Sequence, residues 1–170
     1  GASNVAVGQL ALNANTTASG NTGIGRQALE ANTTGHSNAA MGSGALQANT
    51  EGHSNTALGF EAMKANTTAD YSVGIGIQAL KTEATSGSNV AIGGLSMMTS
   101  NGAANNVAVG KQTGYLHTTG DKNAWVGSNS GFNSTTSSNN AGLGYTSLYS
   151  CTTGSELVGI GPQTLYNATT

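Results

Sequence analysis

The sequence predicts an all-β chain, a parallel β-solenoid (β-roll) of ten 17-residue coils. Three observations carry that expectation. Ten glycines (Gly8, Gly25, Gly42, Gly59, Gly76, Gly93, Gly110, Gly127, Gly144 and Gly161) recur every 17 residues, and ten such units account for all 170 residues. A fixed short period over the whole length is the mark of a repeat architecture. The stretch before each glycine, as in Asn4-Val5-Ala6-Val7-Gly8, alternates with the period of two that belongs to a strand. Units of 17 residues this rich in Gly and Thr cannot form two helices each, which sets aside an α-solenoid.

Residues 1–17 serve as the register. Position 4 is Asn in eight of ten units, a turn residue tolerant of positive φ. Position 5 is Val, Thr or Ala, and position 7 is always aliphatic or Met, from Val7 to Ile160. These β-branched and apolar residues are expected to point inward from a short strand. Position 6 is Ala or Gly except at Trp125, and position 11 is Ala, Ser or Thr. Position 12 is Leu or Met in eight units and is expected to supply a further inward group from a second short strand. Asn-Thr-Thr then closes the coil. Stacking at about 4.8 Å per coil gives a rod of roughly 48 Å.

Each coil so read buries about three side chains, worth about 1.5–3 kcal/mol apiece against about 1–2 kcal/mol of backbone entropy per residue. A single thin coil is marginal on that comparison. The flat Ala/Gly stripe at positions 6 and 11 offers a face for close approach of another chain, so a parallel homotrimer around a threefold axis is expected. The alternative use of those small residues is tight stacking within one chain. Residues 1–170 read as one repeat domain, 1–85 regular and spacer-like, 86–170 more divergent and aromatic. The chain starts at Gly1 and ends on a repeat boundary, which reads as a piece of a longer fibre.

Composition narrows the function classes. Only 7% of residues are charged and the formal net charge is −2, which offers no basis for nucleic-acid or anionic-lipid binding. No apolar run reaches membrane-spanning length, and no signal peptide is evident. One cysteine, Cys151, permits no intrachain disulfide. No catalytic constellation is seen. The carboxylates are scattered over different register positions, and Gly74-Ile75-Gly76 belongs to a strand-closing turn rather than a phosphate loop. An enzyme is not expected, and no cofactor is implied.

The units GASNVAVGQLALNANTT (1–17) and GHSNTALGFEAMKANTT (52–68) resemble a repeat of bacteriophage tail-fibre proteins, Asn-Thr-Ala-Ile-Gly followed by Ala-Leu and Asn-Thr-Thr-Gly. The Asn-Val-Ala-Ile-Gly core (89–93) is similar to the shorter repeat in the heads of trimeric autotransporter adhesins. The resemblance covers all ten units, the first four best, and drifts from Thr82 onward. It implies a left-handed parallel β-roll that trimerises on a virion or cell exterior. It is specific for architecture rather than for ligand, because similar rolls serve as spacers and as binding heads.

The candidate contact residues are an aromatic ladder at position 13 (Tyr115, Phe132, Tyr149 and Tyr166) and Trp125, the one large residue at position 6. Stacked exposed rings could form a platform for sugar faces, or they could shield the coil edge by packing on each other. Trp125 could plug a trimer axis, contact a ligand, or fill an irregular coil where Gly131 stands in place of Leu. His36 and His53 share position 2 of adjacent units, next to Asp70, and read as exposed turn residues more than as metal ligands. The Thr-Thr pairs, from 16–17 to 169–170, raise an ice-binding surface, although consecutive Thr on a strand face opposite ways. A turn role with hydroxyls bonded to backbone is the simpler reading. Of the Asn-Xaa-Ser/Thr acceptors at Asn15, Asn32, Asn66, Asn133 and Asn167, four fall in the closing turn, where they are expected to be exposed and to cap turns rather than carry glycans. The expected role is therefore a structural or adhesive segment of a trimeric extracellular fibre that attaches to a cell surface, with glycan as the candidate ligand. A ligand-free spacer and an ice-binding solenoid are the alternatives.

Overall fold

The computed structural model describes residues 1–168. It is a parallel β-solenoid whose coils follow the 17-residue unit. Ten three-residue strands, β1 (Val5–Val7), β2 (Thr22–Ile24), β3 (Ala39–Met41), β4 (Thr56–Leu58), β5 (Val73–Ile75), β6 (Val90–Ile92), β7 (Val107–Val109), β8 (Ala124–Val126), β9 (Ala141–Leu143) and β10 (Val158–Ile160), form one sheet in chain order. Every pairing is parallel and joins residues one unit apart, as in Ala40 with Ala57 and Ala57 with Gly74. No helix occurs among the described residues.

The phase of the strand is the reverse of the expected one. In β3, β4 and β7 to β10 the middle residue is buried and at least its first neighbour is exposed. Ala57 is 1% exposed, and Leu58 beside it is 42% exposed. Positions 5 and 7 thus face outward and position 6 faces the core. The reason is the thickness of the coil. The position-12 side chain of the preceding unit lies beneath position 6, so that a Cβ on Gly74 would come within 2.7 Å of Met63 Cγ. Only Ala or Gly fits there unless position 12 is also changed. The Ala/Gly stripe expected to meet another chain is therefore inside the coil, where Ala28, Ala45, Ala62, Ala79, Ala91 and Ala108 are fully buried.

The expected second strand is absent. Position 12 lies in a turn and adopts positive φ: Leu29 at 53°, Leu46 at 49°, Met63 at 51° and Leu80 at 51°. Left-handed backbone costs a non-glycine residue about 1–2 kcal/mol. Full burial of a leucine contributes about 1.5–3 kcal/mol, so the buried side chain offsets the strain. Hydrogen bonding between coils continues through these turns, as in Leu29 N to Ala45 O and Leu46 N to Ala62 O, both 3.0 Å.

The register glycine is required twice over. Gly76 has φ +129°, outside the ordinary left-handed region, and a Cβ there would lie 2.6 Å from Gly93 C. Gly76→Ala is expected to cost at least the roughly 1–3 kcal/mol of a backbone held in a disfavoured region. A lowered denaturant midpoint with an unchanged m-value checks this.

Asparagine does a different job from the one expected. The positive φ falls on the preceding residue, for example Ser37 at 59° and Ser54 at 59°, and position 4 itself turns inward. Asn38 Nδ2 donates to Gly52 O at 2.8 Å, and its Oδ1 accepts from Asn55 N at 3.0 Å. The Asn at position 15 reaches the same carbonyl: Asn49 Nδ2 donates to Gly52 O at 2.9 Å and to Asn32 Oδ1 at 2.8 Å. In the first coils two amide ladders thus hold the position-1 carbonyl between them, at Ala18, Gly35, Gly52 and Ala69. Such groups must be paired once out of water. Asn32 and Asn66, expected on exposed turns as acceptor sites, are fully buried in these ladders.

Candidate functional site

The chemistry of this chain lies in several surface ladders and in two core clusters, one around Trp125 and one around Glu83. The aromatic ladder at position 13 stands on the outside of the coil. Tyr115, Phe132 and Tyr149 are half-buried and Tyr166 is exposed. Their rings are stacked, with centroids 5.1 Å apart from Tyr115 to Phe132, 5.1 Å to Tyr149 and 4.8 Å to Tyr166. Each inner ring therefore has both faces taken by its neighbours. A sugar would meet ring edges at Phe132 and Tyr149, with an outer ring face left only at the end of the ladder, at Tyr166, and the stacking stiffens the edge of the coil.

Trp125 is fully buried and leaves the set of surface contacts. The indole fills a space opened by missing side chains. A Cβ on Gly131 would lie 2.6 Å from it, and one on Gly114 or Gly142 3.1 Å. Gly114 and Gly131 occupy position 12, where other coils carry Leu or Met. The ring of His117 packs edge-on against the indole at 4.9 Å. Indole Nε1 has no hydrogen-bond partner among the described residues.

Position 15 also carries three buried ionisable groups, Glu83, His117 and the thiol of Cys151. Glu83 replaces the ladder asparagine where position 4 is Ser72 instead of Asn, so a longer side chain fills what the shorter one leaves. Its carboxyl accepts from Asn89 Nδ2 at 2.9 Å and faces Ser72 Oγ at 3.4 Å. Burial pushes its pKa up to about 8, against the opposing effect of those two bonds. His117 places Nδ1 2.5 Å from Ser134 O and Nε2 2.6 Å from Gly120 O. Burial is the larger influence and lowers its pKa, while the two carbonyls oppose it.

On the surface, His36 and His53 stack at 4.6 Å, and His53 Nε2 lies 3.2 Å from Asp70 Oδ2. Parallel stacked rings do not converge on one point, and no three His, Cys, Asp or Glu side chains form a metal-binding group among the described residues. Glu61 joins Lys64 at 2.7 Å and Lys81 at 2.9 Å. Its pKa is lowered to about 2 by Lys64 and then by Lys81 and Gln78. The threonine pairs are split by role. Thr33, Thr50 and Thr67 donate their hydroxyls to the carbonyl one coil on, at 3.0, 3.1 and 2.9 Å. In the pairs at 33–34, 67–68, 118–119, 135–136 and 152–153 only the second Thr is exposed, whereas both are at 16–17. The pair at 169–170 lies outside the described residues.

One extended surface feature was missed from sequence. Positions 5 and 7 lay an apolar strip along the whole sheet, with Val7, Met41, Leu58, Ile92, Val126, Leu143 and Ile160 all exposed. Two shallow apolar depressions lie on it, one around Ala39, Met41 and Leu58, the other around Ala141, Leu143 and Ile160. The signal that could have found it is the pairing of Trp125 with glycine at 114 and 131, which places position 6 against position 12 and hence inside. No helix among the described residues is long and apolar enough to cross a membrane. No family model matches this chain, and neither a curated protein nor a solved structure matches it.

Proposed function

We propose that this chain is a structural segment of an extracellular or virion-surface fibre, assembled as a parallel homotrimer through the outward face of its sheet. The observation that carries the proposal is the aliphatic strip at positions 5 and 7, which leaves Leu58 42% and Ile160 69% exposed. Continuous apolar patches on this scale mark association surfaces. Three copies with these faces turned to a common axis would cover the strip, and the threefold count follows the resemblance to tail-fibre and adhesin repeats. A parallel stack of near-identical coils suits a stiff spacer. The stacked aromatic edge supports stiffness more than adhesion, and the hydroxyls bonded into the backbone leave too little of a Thr array to favour ice binding.

The native mass of the chain in solution tests this. Light scattering behind a sizing column is expected to give three times 16.7 kDa. A folded species at 16.7 kDa would end the trimeric-fibre reading and leave a single-chain spacer.

A further inference from the structure

Asn101-Gly102 is the one Asn-Gly pair in the chain, and it sits where the closing turn departs from Thr-Thr. Both residues are exposed. In five other coils the nitrogen at this point is tied to the next coil: Thr34 N, Glu51 N, Thr68 N, Thr119 N and Thr136 N donate to carbonyls at 3.0–3.3 Å. Gly102 N makes no such bond among the described residues, and neither does the Asn101 side chain. The surroundings are open, since a Cβ on Gly102 would meet only Thr119 Cγ2, at 3.5 Å. The Asn-Ser pairs differ. Ser130 N donates to Gly127 O at 3.2 Å, and Ser134 N to Gly131 O at 3.0 Å.

We infer that Asn101 is a site of self-modification, a deamidation driven by the backbone nitrogen of Gly102. That nitrogen loses its proton to solvent base and attacks Asn101 Cγ. The Cγ–Nδ2 bond breaks and Nδ2 leaves as ammonia, giving a five-membered imide. Water then opens the imide at either carbonyl. Opening at Cγ yields aspartate, and opening at the main-chain carbonyl yields isoaspartate, with one extra methylene in the backbone. No oxidant or reductant takes part. Glycine has no side chain to block the attack, and no hydrogen bond of Gly102 N has to break first. The product carries one more negative charge, taking the formal net charge from −2 to −3. That charge and methylene are placed at a corner of the coil, outside the sheet.

The test is to hold the folded chain at mildly alkaline pH and body temperature and follow its peptides by mass spectrometry, with enzymatic methylation of isoaspartate as a second readout. The amide at Asn101 is expected to be lost first, with methylatable isoaspartate appearing in the same peptide. The peptides holding Asn129 and Asn133 should remain amide over that time. Asn101→Gln leaves Gly102, held at φ +108°, in place. Its longer side chain would have to close a six-membered ring, so it should keep its amide over the same time while the circular dichroism is unchanged. An Asn101 that stays amide, or that converts no faster than Asn129 and Asn133, overturns the inference.

Discussion

Truncating Trp125 to alanine is expected to be among the most damaging single changes in this chain. Removal of a buried Trp costs about 3–5 kcal/mol, and the upper part of that range applies where neighbours cannot close in. Here Gly114, Gly131 and Gly142 line the indole and have no side chains to move. Trp125→Phe should cost less, because the ring is partly replaced and the unpartnered Nε1 is removed. The account makes a sharper demand as well. Gly114 and Gly131 have φ of 60° and 61°, close to the 49–53° of the leucines at that position in other coils. Adding Gly114→Leu and Gly131→Leu to Trp125→Ala rebuilds the ordinary rung and should recover much of the lost stability. Urea unfolding of the three variants checks it. A triple variant no more stable than Trp125→Ala alone would show that the size exchange between these positions is incidental.

The second large effect is expected at Glu83. Its folded pKa of about 8 stands above the ordinary 4.5 of the unfolded chain. Below pH 4.5 both states hold the proton, and the group has no effect on stability. Between 4.5 and 8 the unfolded chain releases a proton that the folded chain keeps, so stability falls as pH rises. At pH 7 the loss amounts to about 3 kcal/mol. Glu83→Gln removes this dependence and keeps both neighbours paired, since its oxygen can accept from Asn89 and its amide can donate to Ser72 Oγ. The variant should melt higher at pH 7, and its advantage should shrink toward pH 4.5. Thermal melts across that range decide it. Equal melting temperatures at pH 7 would mean that water or movement relieves the carboxyl.

These two sites also show how far the sequence could be read. The glycine period gave the unit, and the Asn-Val-Ala-Val-Gly stretch gave the strand, because both follow from local backbone needs. The phase did not follow. Alternation of Val5, Ala6 and Val7 is compatible with either face inward, and the usual preference for burying the larger residues points the wrong way in so thin a coil. What decides is a size match between residues distant in sequence, Trp125 against Gly114 and Gly131. The buried asparagine ladders were missed for a similar reason. An Asn beside a turn reads locally as a turn residue, and its inward role depends on the carbonyl of the next coil at Gly35 or Gly52. The ring ladder from Tyr115 to Tyr166 was placed on the outside from its register, but that its members stack face to face is a matter of side-chain geometry.

The central claim is that position 6 faces the core and position 7 faces out, and adjacent residues of β4 test it most directly. Ala57→Leu and Leu58→Thr are compared by thermal melting of the circular dichroism signal. The account predicts that leucine at 57 overpacks the core, by about 1–3 kcal/mol, and melts clearly lower. Threonine at 58 should leave the folded coil intact. A chain that accepts leucine at 57 and unfolds with threonine at 58 would contradict it.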